Sequence, residues 1–220
     1  MNRACVLMLA ILVFGCDAKQ ESVDFLDPQP MDVSNSKSFN KKYQGLYKSP
    51  DDSSALYITT DKIIKIFNIP FVFSRNDVDS SFKGDRNNND QLKDSFAKDN
   101  IKINYFKGDS VYSTWIIRDT LFTISDHNFL RFFKGAYFLN YTDNHITWKV
   151  QRLDLHKKRL SFAMIMPYDS LFKATPLKEK IEIKDDSGSV VQYQIRPTKK
   201  ELKNLIREKT FHETVFWIKE

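Results

Sequence analysis

From residue 41 onward, apolar residues recur at every second position in short runs, and turn-forming residues separate the runs. This pattern restricts the chain to sheet structure more strongly than any other feature it has. The runs cover residues 43–47, 55–59, 63–67, 69–74, 101–106, 111–118, 121–125, 129–133, 136–141, 146–153, 160–166, 180–184 and 190–195. They are rich in Ile, Phe, Tyr, Val and Thr, whose branched or flat side chains pack well on a pleated surface. Asp51-Asp52, Lys107-Gly108-Asp109, Thr142-Asp143-Asn144 and Asp185-Asp186-Ser187-Gly188 interrupt them with hairpin chemistry. No helices alternate with the runs. The expected fold is therefore all-β, an antiparallel meander closed as a barrel-like or sandwich structure. Pro70 cannot donate to a strand ladder, so it predicts an edge or a bulge.

Two segments leave this pattern. Residues 76–100 are polar and rich in Asp and Asn, which predicts a long loop with a short helix at 90–98. Residues 198–209 predict the one C-terminal α-helix: Pro197 precedes it, and Thr198 with Glu201 forms a capping-box pair. Leu202, Leu205 and Ile206 supply its apolar stripe. Residues 211–218 then read as a closing strand. Leu56-Tyr57 with Asp61 and Ile63-Ile64 is echoed 65 residues later by Leu121-Phe122 with Asp126 and Phe129-Leu130. Repeated hairpins produce such echoes by chance.

The first residues carry a different signal. Arg3 is followed by an unbroken apolar run at residues 4–14. Eleven helical residues reach only about 16 Å, half of a ~30 Å hydrocarbon core, so the run suits a signal h-region better than a membrane span. It ends in Val13-Phe14-Gly15-Cys16, which resembles the bacterial lipobox; Phe14 is bulkier than the usual residue at its position. The resemblance implies that Cys16 receives a diacylglycerol, that the bond before it is cut, and that the new amino terminus is acylated. A multi-chain lipid holds a protein stably on a bilayer. Residues 1–15 are then a lipoprotein signal peptide. Residues 16–40 are a lipidated N-terminus and flexible acidic tether, and residues 41–220 a single β-rich domain. Cys5 leaves with the signal and Cys16 is acylated, so thiol catalysis and thiolate metal sites are excluded, and the fold needs no disulfide. The formal charge of +6 divides accordingly. Residues 17–40 hold five carboxylates and two lysines, while residues 41–220 hold 31 basic and 23 acidic groups.

Little in the domain announces chemistry. Asp85, Asn87 and Asn89 have calcium-loop spacing, but Asp90 stands where the turn glycine should be and Phe96 where the bidentate Glu should be. His127, His145, His156 and His212 have no metal-binding spacing. No serine sits in a Gly-x-Ser-x-Gly elbow, and six glycines leave little for a phosphate cradle. We therefore expect no cofactor, no metal and no enzyme; a site assembled from distant strands is the alternative. Residues 129–140 and Trp148 concentrate aromatics. Trp115, Phe133, Tyr137 and Trp148 are candidate ligand-binding residues, as a stacking platform for sugar or another ligand. The competing reading is a core of paired aromatic strands. The excess of basic groups suits acidic lipid heads or envelope polysaccharide better than nucleic acid for a secreted chain.

Pro28-Gln29-Pro30, Tyr43-Gln-Gly-Leu-Tyr47, Asp51-Asp-Ser-Ser-Ala-Leu-Tyr-Ile58 and Phe133-Lys-Gly-Ala-Tyr-Phe-Leu-Asn140 with Trp148 resemble uncharacterised lipoproteins of Bacteroidota. That resemblance implies a cell-envelope protein, lipid-anchored in the outer membrane, with a binding or structural role and an envelope protein or polysaccharide as partner. Asp17 after the cysteine favours inner-membrane retention in enteric bacteria, a rule tied to that group. Gly45-x-Tyr47 is also similar to the first-strand Gly-x-Trp of lipocalins, as is a helix after the last barrel strand followed by a short strand. This implies a carrier of an apolar ligand. The chain departs from lipocalins in Tyr for Trp and in more strands than eight.

Overall fold

The computed structural model describes residues 22–78, 84–143 and 146–220. Residues 1–21, with the expected signal peptide and Cys16, lie outside the described residues, as do residues 79–83, Asn144 and His145. In chain order the elements are β1 (Ser22–Phe25), β2 (Gly45–Lys48), β3 (Ala55–Ile58), β4 (Lys62–Ser74), α1 (Asn89–Lys98), β5 (Ile101–Lys107), β6 (Ser110–Thr123), β7 (Asn128–Phe133) and β8 (Ala136–Tyr141). They continue with β9 (Lys149–His156), β10 (Arg159–Ile165), α2 (Ser170–Ala174), β11 (Lys180–Lys184), β12 (Val190–Ile195), α3 (Lys199–Arg207) and β13 (Phe211–Lys219).

The fold is all-β and almost wholly antiparallel, as the alternation predicts. Two pairs of expected strands merge. Residues 63–67 and 69–74 become the continuous β4, and residues 111–118 and 121–125 become β6, because the two long strands pair with each other from end to end. Pro70 sits where the pattern requires. The pairing of β3 with β4 stops at Ile66, so beyond it β4 is an edge strand with no ladder on its outer side. The C-terminal helix forms with its capping box intact: Thr198 Oγ1 accepts from the Glu201 backbone N–H, and Glu201 Oε2 accepts from that of Thr198. The short helix expected at 90–98 forms as α1, and a further helix, α2, appears that is too short to show periodicity and is marked only by Asp169 as its N-cap.

One constraint shapes the main sheet. Its strand order is β5-β6-β4-β3-β2-β13-β10-β9-β8-β7. Thus β6 and β7 stand eight strand spacings apart, which in a flat sheet would be about 38 Å. Yet only residues 124–127 join them, and five Cα–Cα steps span at most about 19 Å. The sheet must curl until its two ends approach. It does so without closing into a barrel. The curled inner face gathers one core from nearly every strand, including Tyr47, Leu56, Ile63, Phe122, Leu130, Leu139, Leu153, Phe162 and Trp217. The outer face of β8, β9, β10 and β13 buries a second core against a small sheet ordered β1-β12-β11 and against α2 and α3. Phe138, Val150, Ile165, Phe211, Phe172, Tyr193 and Leu205 meet there. A third cluster seats Leu92 and Phe96 of α1 on the projecting ends of β4, β5 and β6. The echo at Leu56 and Leu121 is not a duplication of pairing: β3 and β4 form a hairpin, while β6 and β7 do not pair.

The expected flexible tether is corrected from residue 22 onward. Ser22–Phe25 form β1, which runs parallel to β12 from Ser22↔Gln192 to Phe25↔Ile195. Gln29 is buried: its N–H donates to Asn140 Oδ1, and its carbonyl accepts from Asn140 Nδ2 at 2.8 Å. Residues 35–39 lace the free edge of β7 to the β3–β4 turn, with Ser36 N–H on the Leu130 carbonyl and Phe39 N–H on that of Thr60. Phe39 is 1% exposed, its ring set edge-on to Phe122 of β6 and Tyr137 of β8. Local composition misled because these residues are polar in bulk and their partners lie about a hundred or more positions away. Phe39→Ala is expected to cost about 3–5 kcal/mol in urea denaturation, as for other buried phenylalanines. A loss within about 0.5 kcal/mol, the value for an exposed position, would return the segment to a tether.

Candidate functional site

A cavity of about 910 Å³ opens at one end of the curled sheet. That lies inside the range of small-molecule pockets, about 300–1,000 Å³. Its inner wall comes from Phe162 and Met164 of β10, Val215 and Trp217 of β13, and Leu121 and Tyr141 at the ends of β6 and β8. Its outer rim is β1, together with Met166, Pro167 and Tyr168 between β10 and α2. The lining is mainly apolar. Two methionines on the wall and rim offer unbranched side chains that adapt to irregular shapes. A ladder irregularity at Phe162/Ala163, facing Thr214 of β13, shapes the wall: Phe162 pairs with Val215 but Ala163 with Glu213. The extra residue bends β13 where the cavity lies.

Few polar groups reach this lining, and they divide by wall. Asp24 of β1 is buried, and its Oδ2 accepts from Gln192 Nε2 at 2.7 Å and Thr147 Oγ1 at 3.4 Å. Lys149 pairs with Asp143 at 3.9 Å on the exposed rim. On the inner wall Tyr141 donates its hydroxyl to Gln151 Oε1 at 2.8 Å. Lys65 of β4 is half-buried with its ammonium 4.5 Å from the Phe67 ring and 6.0 Å from the Trp217 ring. Trp217 itself is 2% exposed, and its indole N–H has no hydrogen-bond acceptor.

The four candidate aromatics do not converge here. Tyr137 belongs to the inner core, 4.8 Å from the Tyr43 ring, with its hydroxyl accepting from the Asn40 N–H. Trp148 lies in the second core, stacked on Phe129 at 4.9 Å and bridged through its backbone to Phe25. Phe133 lies half-buried against that same core, beneath the ammonium groups of Lys199 and Lys203. Trp115 stands 46% exposed on the projecting part of β6. The buried side chains of β8, Tyr137 and Phe138 among them, match the reading of this stretch as core, while Phe132, edge-on to Tyr137, stays exposed. Sequence reasoning missed Trp217, Phe162 and Met164, because each is one apolar residue of an ordinary strand and only the curl brings them together.

The remaining polar motifs have structural work. Asn88, in the Asp/Asn-rich loop, caps α1 by accepting from Asp90 N–H and Gln91 N–H. His212 Nε2 lies 3.0 Å from Asp169 Oδ2, the same carboxylate that caps α2. Among the described residues no group of three or more His, Cys, Asp or Glu could hold a metal ion. No protein-family model matches the chain, nor does any curated protein or solved structure.

Burial marks the tyrosines of the inner face. It holds the Tyr43 and Tyr141 phenols well above the ordinary tyrosine range, with Asp154 adding to the effect at Tyr43, and pushes Tyr47 up to about 12. A raised pKa favours the fold fully below the unfolded value, about 10, and the contribution disappears as pH climbs through the folded value. The urea midpoint is therefore expected to hold steady toward pH 10 and fall from there to pH 12, with the share of the tyrosinate absorbance that belongs to Tyr43, Tyr47 and Tyr141 appearing only as the protein unfolds. Tyrosinate formation by all nine tyrosines near pH 10 in the folded protein would contradict this.

Proposed function

We propose that this protein is a non-catalytic cell-envelope lipoprotein, anchored in the outer membrane through lipidated Cys16, that binds an apolar ligand in the cavity of its curled sheet. The observation that carries the binding role is the cavity itself, mainly apolar and walled by Phe162, Met164, Val215 and Trp217. A densely filled inner face would have argued for a purely structural protein. The anchor rests on the Val13-Phe14-Gly15-Cys16 pattern. No helix among the described residues is long and apolar enough to cross a membrane.

Chain length supports joining the two roles. Cys16 precedes Ser22, the first residue of β1, by six positions, which reach about 21 Å at full extension. Ser22–Phe25 line the cavity rim. An acylated Cys16 therefore keeps that rim within a short tether of the lipid surface, where apolar ligands concentrate. An envelope protein or polysaccharide partner remains compatible with the basic domain, and nucleic acid is not expected at this location.

Two measurements check the reading. Metabolic labelling with palmitate should mark the wild-type protein and not Cys16→Ala; label retained by the variant would refute the anchor. Native mass spectrometry of protein released from envelopes should show a bound mass that organic extraction removes. Val215→Trp, which intrudes into the cavity between Phe162 and Trp217, should lower that bound mass while the protein stays folded. An unchanged bound mass in this variant would refute the site.

A further inference from the structure

The lining of the cavity is not uniform in charge, and its polar groups bear on what the ligand is. Asp24 is held by Gln192 and Thr147 of its own side of the molecule, and Lys149 by Asp143. Lys65 is different. Among the described residues its ammonium makes no hydrogen bond or ion pair; it rests on the faces of Phe67 and Trp217 and exerts a weak pull on Asp52. A cation over an aromatic ring is stabilised, but keeps all three of its donors free. The Trp217 ring on which it rests also carries an indole N–H that is buried with no acceptor. Buried donors are almost always paired, so an unpaired one needs an explanation. Two neighbouring side chains of the inner wall of a mainly apolar cavity thus each carry a donor without an acceptor, and one of them carries a full positive charge.

We propose that the cavity takes a single-chain amphiphile with an anionic head. The chain lies along Phe162, Met164 and Val215, and the head is bound by Lys65 and, through it, reaches the Trp217 N–H. This rests on the apolar-ligand reading above and names the ligand class. The flexible four-carbon stem of Lys65 lets its ammonium leave the ring faces to receive the head. A neutral chain would leave both donors unpaired, and a cationic head would be repelled. The competing site for a cationic head is Asp24, whose Oδ1 has no hydrogen-bond partner.

The test uses the full lipidated protein in neutral phosphatidylcholine nanodiscs with photoactivatable C16 probes: the fatty acid, lysophosphatidate, the alcohol and the amine. Crosslinks are mapped by mass spectrometry. Either anionic probe should label the β10 and β13 wall about tenfold more than the alcohol, the effect expected of one charge-assisted hydrogen bond. Preference between the two distinguishes a free fatty acid from a phospholipid source. Lys65→Met should reduce anionic labelling to the level of the alcohol, and Lys65→Arg should restore it, with far-UV circular dichroism unchanged in both. Equal labelling by acid and alcohol, or insensitivity to Lys65→Met, overturns the head assignment while leaving the cavity reading intact. Preference for the amine, lost in Asp24→Asn, also overturns it. If no probe labels the wall, the cavity reading fails as well.

Discussion

The short connection between β6 and β7 is the constraint on which the rest of the structure depends. Four residues join strands that stand at or next to opposite ends of a ten-stranded order. No flat or gently twisted sheet satisfies that distance. The sheet curls, and the curl converts alternation into an inside and an outside: one set of side chains forms the inner core, the other the second core. β13 completes the arrangement by entering late in the chain and pairing with β10 on one side and β2 on the other. Two consecutive antiparallel runs thereby become one sheet: β2 to β6, in which β6 lies between β4 and β5, and the meander β7 to β10.

A curled sheet that does not close leaves edges, and exposed edges invite unwanted pairing. The segment preceding the domain answers part of that problem. Residues 35–39 run from the edge of β7 to the β3–β4 turn, and Phe39 enters the inner core between β6 and β8, which are not paired and meet only through side chains such as Phe122 and Tyr141. Upstream, the Asn140 side chain satisfies both backbone groups of Gln29, and Arg131 donates to the carbonyls of Pro28 and Pro30. These are buried or half-buried polar contacts whose removal would leave unsatisfied groups, so they fix the path of the segment more firmly than its apolar content would suggest. β1 then lies as an added strand on the small sheet, and the same strand forms the cavity rim. The element closest in sequence to Cys16 is therefore also the one that borders the candidate site.

The cavity exists because the curl is incompletely filled at one end. Toward the β3–β4 turn, Phe39, Tyr43 and Tyr137 pack edge-on on the inner face. Toward the β10–α2 loop the inner face ends in Met164, Val215 and Tyr141, which border the cavity. The irregular pairing in β13 widens the wall at that point. Packing and openness thus belong to the two ends of one face, and the difference follows from which segments fold back over it.

The amino-acid sequence by itself determined the class of the fold. Period-two alternation, turn residues and the capping box of Thr198 and Glu201 are local properties, and local geometry is enough to produce strands, hairpins and α3. It also contained the lipobox-like Val13-Phe14-Gly15-Cys16, since that pattern is read as a linear segment. What only the tertiary structure decided is everything that depends on distant residues meeting. The merger of residues 63–74 into one strand follows from a partner nearly fifty positions away, and the order of segments 22–40 from partners at Asn140 and Gln192. The candidate site is the extreme case: Lys65, Phe162 and Trp217 span most of the chain and carry no shared motif. Their proximity is a consequence of sheet curvature, which is set by the length of a turn and the order of strands, and neither quantity is written in the neighbourhood of those residues.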